Sequence, residues 1–402
     1  MLLSALFSTH SSSQVKVGAE LLLERHRSLL TDKKIGLVTN HTAVLSNGAH
    51  LVDTLASSSE WQLVALFGPE HGVRGDVPAG EKVQHGVDAK TGIKVFSLYG
   101  AIHKPTPEML KGIDILLFDI QDIGARFYTY LSTMTLAMEA AAEQKVPFLV
   151  LDRPNPIRGT WVEGFLLEDS LRSFVGPHPI PIAHGMTMGE LAAMINDEGW
   201  LTDGMKADLR VYKMKNWKRE MWYDQTGLTW VQPSPNMKTL ATAIVYPGMC
   251  LVEGTNVSEG RGTDRPFEYI GAPFIDGRRL AETLNQKNLP GAVFEPIEFT
   301  PREIPHAAVN PKHKGIKCGG VFVSVTDRNT FEPVRTAVFL LAIIKQMYPS
   351  EFQWRERAID LLAGTPSLRL AIDRGDPPET IVREWQSAVE QFKKQRSKYL
   401  FY

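Results

Sequence analysis

Gly68-Pro69-Glu70-His71-Gly72 sets an acid beside an imidazole, between glycines that allow tight turns and the close approach of a ligand. A glutamate placed there, against apolar Phe67, is a candidate general acid. Further carboxylates, Asp119, Asp122, Asp152 and Glu259, and five arginines, Arg74, Arg126, Arg153, Arg261 and Arg265, fall in similar polar clusters. Glycoside hydrolysis needs such a set: one carboxyl group protonates the leaving oxygen, and a second group attacks the anomeric carbon or activates water. The planar guanidinium fork holds a substrate carboxylate through two parallel hydrogen bonds. Residue types alone do not decide, because each pair of opposite charges also suits a structural salt bridge, and Glu70 also suits a loop position that caps the next segment.

Short apolar runs supply the scaffold. Lys34–Thr39, Leu63–Phe67, Ile93–Leu98, Ile113–Phe118 and Pro147–Leu151 read as strands, separated by helices around Ala49–Ala56, Pro107–Lys111 and Ala125–Gln144. Runs that are apolar throughout, rather than alternating, suit strands covered on both faces by crossover helices, as in a parallel sheet. The fold class is therefore α/β, with a mostly parallel, Rossmann-like sheet. Four of these runs end in polar clusters: Thr39-Asn40-His41-Thr42, Gly68 to Gly72, Asp119-Ile120-Gln121-Asp122, and Asp152-Arg153-Pro154-Asn155-Pro156. In an open parallel sheet the strand C-termini share one edge, where ligands bind at a topological switch point, so the four clusters are expected to converge.

Beyond Pro156 the pattern predicts a helix over Thr187–Asp197 and a strand over Leu209–Met214. Trp217, Trp222 and Trp230 follow, read either as core or as a wall on which sugar C–H faces stack, and then the Pro-rich loop Gln232 to Asn236. From about residue 246 a second, smaller α/β unit is expected. It comprises the Gly-rich loop Glu253–Arg265, a helix Gly277–Gln286, a strand Val321–Thr326, a helix Val334–Met347 and a closing amphipathic helix Pro378–Lys398.

Among 402 residues, 44 Lys+Arg balance 45 Asp+Glu for a net charge of −1, so no basic excess points to nucleic acid. Two cysteines, Cys250 and Cys318, are too few for a disulfide framework or a four-cysteine zinc site, and are expected as buried free thiols. No apolar run is long enough to span a membrane. The first 14 residues read as the remnant of a leader or as a disordered terminus, because they lack a basic n-region. Neither a G-x-G-x-x-G fingerprint after the first strand, nor a P-loop, nor a G-x-S-x-G elbow, nor H-E-x-x-H occurs. Neither a cofactor nor a metal is expected, pooled ligation by His41, His71 and a carboxylate being the weaker reading.

Taken together, several blocks resemble the bacterial exo-β-N-acetylmuramidases, a family long described only as a domain of unknown function. They are Asn40-His41-Thr42, Phe67 to Gly75, Asp119 to Tyr130, Leu151 to Pro156, His184 to Thr187, Pro233 to Met237, Tyr246 to Gly248 and Glu253 to Glu268. The resemblance runs from about Val15 to Tyr402, and departs at Val162-Glu163-Gly164-Phe165, where proline is expected after the glycine.

It implies a Rossmann-like catalytic domain over residues 15–245 and a C-terminal α/β domain over 246–402 that completes the cleft. The activity implied is release of N-acetylmuramic acid from non-reducing ends of peptidoglycan fragments, whose MurNAc-GlcNAc units are the expected partner. It also implies that Glu70 is catalytic; in our reading it is the general acid/base. His71 positions it in our reading, and Asp119 or Asp122 serves as the second or orienting carboxylate. Candidate binding residues are Asn40, Arg74, Arg126, Tyr128, Asp152, Arg153, Asn236, Glu259 and Arg261, with one of the arginines holding the lactyl carboxylate. Family members are commonly exported, which makes a secreted, periplasmic or cell-surface location the expectation. Monomer and homodimer both stay open, as does a non-catalytic muropeptide-binding protein with the same pocket.

Overall fold

The computed structural model describes residues 14–75 and 86–402, so the expectation for the N-terminal leader lies, save for Gln14, outside the described residues. Among the described residues twelve strands follow in order: β1 (Lys34–Thr39), β2 (Gln62–Gly68), β3 (Gly86–Val87), β4 (Lys94–Ser97), β5 (Ile115–Asp119), β6 (Phe148–Leu151), β7 (Glu163–Leu166), β8 (Pro181–Ala183), β9 (Leu209–Tyr212), β10 (Tyr269–Ala272), β11 (Ala292–Phe299) and β12 (Cys318–Val325). Seven of them form one sheet in the order β3-β4-β2-β1-β5-β6-β9, parallel except for the short edge strand β3. The chain starts at the centre with β1, builds outward through β2 and β4, and returns to build β5, β6 and β9 on the other side. The switch point therefore lies between β1 and β5, where Thr39 pairs with Asp119.

The run Ile115–Phe118 shows why these segments are strands. Ile115 and Leu117 enter the core on one face of the sheet, while Leu116 and Phe118 enter the core on the other. The C-terminal half is built on a separate three-stranded antiparallel sheet, β10-β12-β11, against which helix Gly277–Asn285 packs. A Cβ at Gly277 would meet the Gly320 carbonyl oxygen at 2.3 Å, so this close approach requires glycine. Helix Leu240–Met249 runs across the expected boundary at 245/246 and packs on helix Pro333–Met347. One apolar core extends from Val38 to Tyr399 beneath both halves. No helix among the described residues is long and apolar enough to cross a membrane.

Two expected helices differ in extent. The one expected over 125–144 begins only at Tyr130 and runs to Glu143. Gly124 has φ +86°, and Ala125 bridges Ala183 while the Arg126 N–H donates to Ile182 O at 2.8 Å, so 125–129 are pinned as loop against β8. The closing helix is two, Pro378–Glu384 and Gln386–Arg396, joined at Trp385, which is buried edge-on to Phe165. The chain then returns to the main sheet. The Tyr402 hydroxyl donates to Asp152 Oδ2 (2.8 Å) and accepts from the Met214 N–H (2.7 Å). Tyr402→Phe removes both bonds and leaves buried partners, so a loss of about 2–4 kcal/mol is expected in denaturant unfolding. A midpoint unchanged from wild type would show that this anchor carries no stability.

Burial raises two carboxyl groups in this framework: Asp152 to about 7, with neighbouring Glu190 adding to it, and Glu163 to about 8. Glu163 accepts from the N–H groups of Arg335 (2.7 Å) and Val334 (3.2 Å), capping helix Pro333–Met347. A carboxyl group raised on folding contributes stability in full below its unfolded value near 4, and that contribution is lost as pH rises through the folded value. Thermal stability should therefore fall between about pH 4 and 8. Glu163→Gln should flatten that fall, and an unaltered slope would count against Glu163 as its source.

Candidate active site

β2 runs directly into the turn that carries the acid. The Gly72 N–H donates to Pro69 O at 2.9 Å, and His71, buried, adopts φ +72°, a left-handed conformation costly for a side-chain-bearing residue. This turn presents the half-buried Glu70 to a small recess at the C-terminal edge of the sheet. The Thr129 hydroxyl donates to Glu70 Oε2 at 3.1 Å. The Tyr99 hydroxyl also bonds to Glu70, and its pKa is raised by burial first and then by the charge of that carboxylate.

Aromatic rings build the wall: Phe127, Tyr128, Tyr130, Tyr246 and Phe267 all line the recess. Tyr128 meets Tyr130 edge-on at 5.0 Å and 88°, and Tyr246 meets Phe267 at 4.7 Å and 82°. The tryptophans do not contribute. Trp217 and Trp222 are buried, Trp217 against Tyr402 and Trp222 against Trp161, while Trp230 packs on Tyr223.

The five arginines separate by partner. Arg126, wholly buried, spends its guanidinium on the carbonyl oxygens of Phe165, Ile180 and Leu362, each at 2.8 Å. Arg153 forms a two-pronged, fully buried ion pair with Asp119, at 2.5 and 3.0 Å. Arg74 is held by Asp88 and Asp53, and Arg265 lies half-exposed beside Glu268. Only Arg261 lines the recess with Glu70; its Nε and Nη2 bond Glu253 Oε1 at 3.1 and 2.7 Å, and Phe267 lies beneath its guanidinium. Its Nη1 donates to no described residue.

The carboxylates separate in the same way. Asp119 is committed to Arg153. Asp152, expected at the pocket, is instead closed in by Thr187 (2.7 Å), the Gly189 N–H (2.8 Å) and Tyr402, because the C-terminus folds back over the end of β6. Glu259 is buried and ion-paired to Lys312 at 3.0 Å. Asp122 accepts from the Gly124 N–H at 2.7 Å through Oδ2, while its buried Oδ1 takes no hydrogen bond; burial raises its pKa to about 7. The Gln121 Oε1 is likewise buried without a hydrogen-bond partner at this edge. Asn236, by contrast, donates to Ala307 O at 2.6 Å. No group of three His, Cys, Asp or Glu that could hold a metal converges among the described residues. Cys250 and Cys318 are free and buried.

Sequence reading had not singled out Tyr99, Thr129 or Ser234, which also lines the recess. Thr129 and Ser234 sit in blocks that carry the family resemblance, whereas Tyr99 follows β4 with no motif to mark it.

Residues 35–241 match the N-terminal family model of the exo-β-N-acetylmuramidase NamZ, and residues 244–402 match its C-terminal model. The chain belongs to this family. It is 49% identical to the peptidoglycan β-N-acetylmuramidase NamZ of Bacillus subtilis (strain 168), over 98% of this chain and 93% of that protein. Two crystal structures of DUF1343 family proteins from Bacteroides fragilis share the architecture. One is 39% identical with a TM-score of 0.89, the other 35% identical with a TM-score of 0.78; each alignment covers 97% of this chain and 99% of the other. The protein is a glycosidase of the exo-β-N-acetylmuramidase type.

Proposed function

We propose that this exo-muramidase releases N-acetylmuramic acid from the non-reducing end of peptidoglycan fragments, cleaving the β-1,4 bond to N-acetylglucosamine with Glu70 as general acid/base. The observation that carries this reading is the meeting of Glu70, the aromatic wall and Arg261 in one recess. Protonated Glu70 gives its proton to the glycosidic oxygen as the bond to the anomeric carbon breaks, and its carboxylate then takes a proton from the attacking water. Thr129 and Tyr99 fix the carboxyl group's orientation, while His71 sets the turn. Asp122, whose buried Oδ1 takes no hydrogen bond, is the second carboxyl group, and Asp119 with Arg153 braces the loop that carries it. Arg261 takes the lactyl carboxylate, the group that separates muramic acid from glucosamine.

Hydrolysis of 4-nitrophenyl β-N-acetylmuramide, run beside the matching N-acetylglucosaminide, tests this directly. Turnover of the muramide at least about 100-fold faster in kcat/KM is expected, on the scale of one charge-assisted bidentate contact. Equal turnover of both would remove the lactyl group from the recognition scheme.

A further inference from the structure

Arg261 faces two carboxylates. Glu253 accepts from it at 2.7 and 3.1 Å, but Glu259 stands off at 3.6 Å from its Nε. What keeps Glu259 there is Lys312, on the long loop between β11 and β12, whose Nζ lies 3.0 Å from Glu259 Oε2. The same ammonium group donates to the carbonyl oxygens of Val252 (3.0 Å), Glu253 (3.3 Å) and Val257 (2.9 Å), so its position is tightly determined. The next residue, His313, bonds Asn256 O through Nε2 at 2.7 Å and ties the same two loops together. Two carboxylates and two cations thus balance in a largely buried cluster.

Without Lys312, Arg261 alone would answer both carboxylates. Its guanidinium would be drawn onto Glu259, and its charge toward the recess would be spent. We infer that Lys312 is a positioning residue for substrate charge recognition: it holds Glu259 off Arg261, so that the guanidinium keeps an edge for the substrate's carboxylate. This rests on the reading of Arg261 given above.

The test compares 4-nitrophenyl β-N-acetylmuramide with its lactyl methyl ester, which keeps the shape and loses the charge. For Lys312→Met, KM for the free acid is expected to rise about tenfold, the scale of one charge-assisted hydrogen bond, with kcat within about twofold of wild type. KM for the ester should not move. Adding Glu259→Gln to Lys312→Met should recover most of the lost affinity, because the competing charge is gone. A wild-type KM for Lys312→Met, an equal rise on acid and ester, or a double variant no better than the single one overturns the inference.

Glu259→Gln alone keeps the three carbonyl bonds of Lys312 and serves if Lys312→Met does not fold. It should bind the acid no more weakly than wild type, and a raised KM or a collapsed kcat also overturns the inference. Arg261→Gln separates the two levels. If it leaves KM for the acid unchanged, the Arg261 reading fails and this inference with it. If it raises KM while Lys312→Met does not, only the role of Lys312 fails.

Discussion

Glu70→Gln is expected to lower kcat on the muramide by about 10³-fold or more, with the fold intact and KM changed little, because the amide keeps the shape and loses the transferable proton. The carboxyl group sits in the recess with Thr129 bonded to Oε2, and glutamine can accept that bond through its own oxygen. The loss should therefore appear in chemistry rather than in stability. Circular dichroism and melting would establish that the variant is folded. A folded Glu70→Gln enzyme with near wild-type turnover would sink the assignment of Glu70 and move the search to Asp122, whose carboxyl burial has already raised to about 7.

Arg153→Met is the substitution with the largest expected effect on stability. Asp119 is wholly buried, and both its oxygens are taken by Arg153, at 2.5 and 3.0 Å, so removing the guanidinium leaves a charge with no partner and no water. Breaking such a buried pair costs about 3–5 kcal/mol, which is a large share of a domain's stability. Taking away the second charge as well, in Asp119→Leu/Arg153→Met, should return much of the loss, because two apolar side chains of similar volume need no solvation. Urea titrations of the single and double variants decide the matter. If the double variant is no more stable than Arg153→Met, the cost lies in packing and in the bond from Arg153 to Val44 O rather than in the stranded carboxylate.

Much of the scaffold was legible because its cause is local. Lys34–Thr39 and Ile115–Asp119 are strands since every turn of a two-residue repeat offers an apolar side chain to one core or the other, and that pattern is visible in a handful of neighbouring residues. The convergence of the clusters after β1, β2 and β5 follows from parallel topology alone. The fourth cluster, after β6, shows the limit of that reasoning. Asp152 reaches the same edge but is covered by Tyr402, a residue at the far end of the chain that no local pattern connects to it. The start of helix Tyr130–Glu143 was misplaced for a related reason. Residues 125–129 run straight into the helix in the sequence, but their pairing with β8 holds them as the loop that forms part of the recess wall.

The sequence by itself determined the sheet and the family, and it proposed Glu70 as the acid, since each of these is written in short-range periodicity or in contiguous blocks. Only the tertiary structure decided which arginine serves the recess. Arg74, Arg126, Arg153, Arg261 and Arg265 carry the same group, and the role of each depends on what the folded chain brings within reach: Asp88 and Asp53, three carbonyl oxygens, Asp119, Glu253, or Glu268. A guanidinium with buried partners on every side is structural, whereas one held at its base and open at its edge can bind. That distinction arises from contacts between residues far apart in the chain, and no spacing along the sequence encodes it.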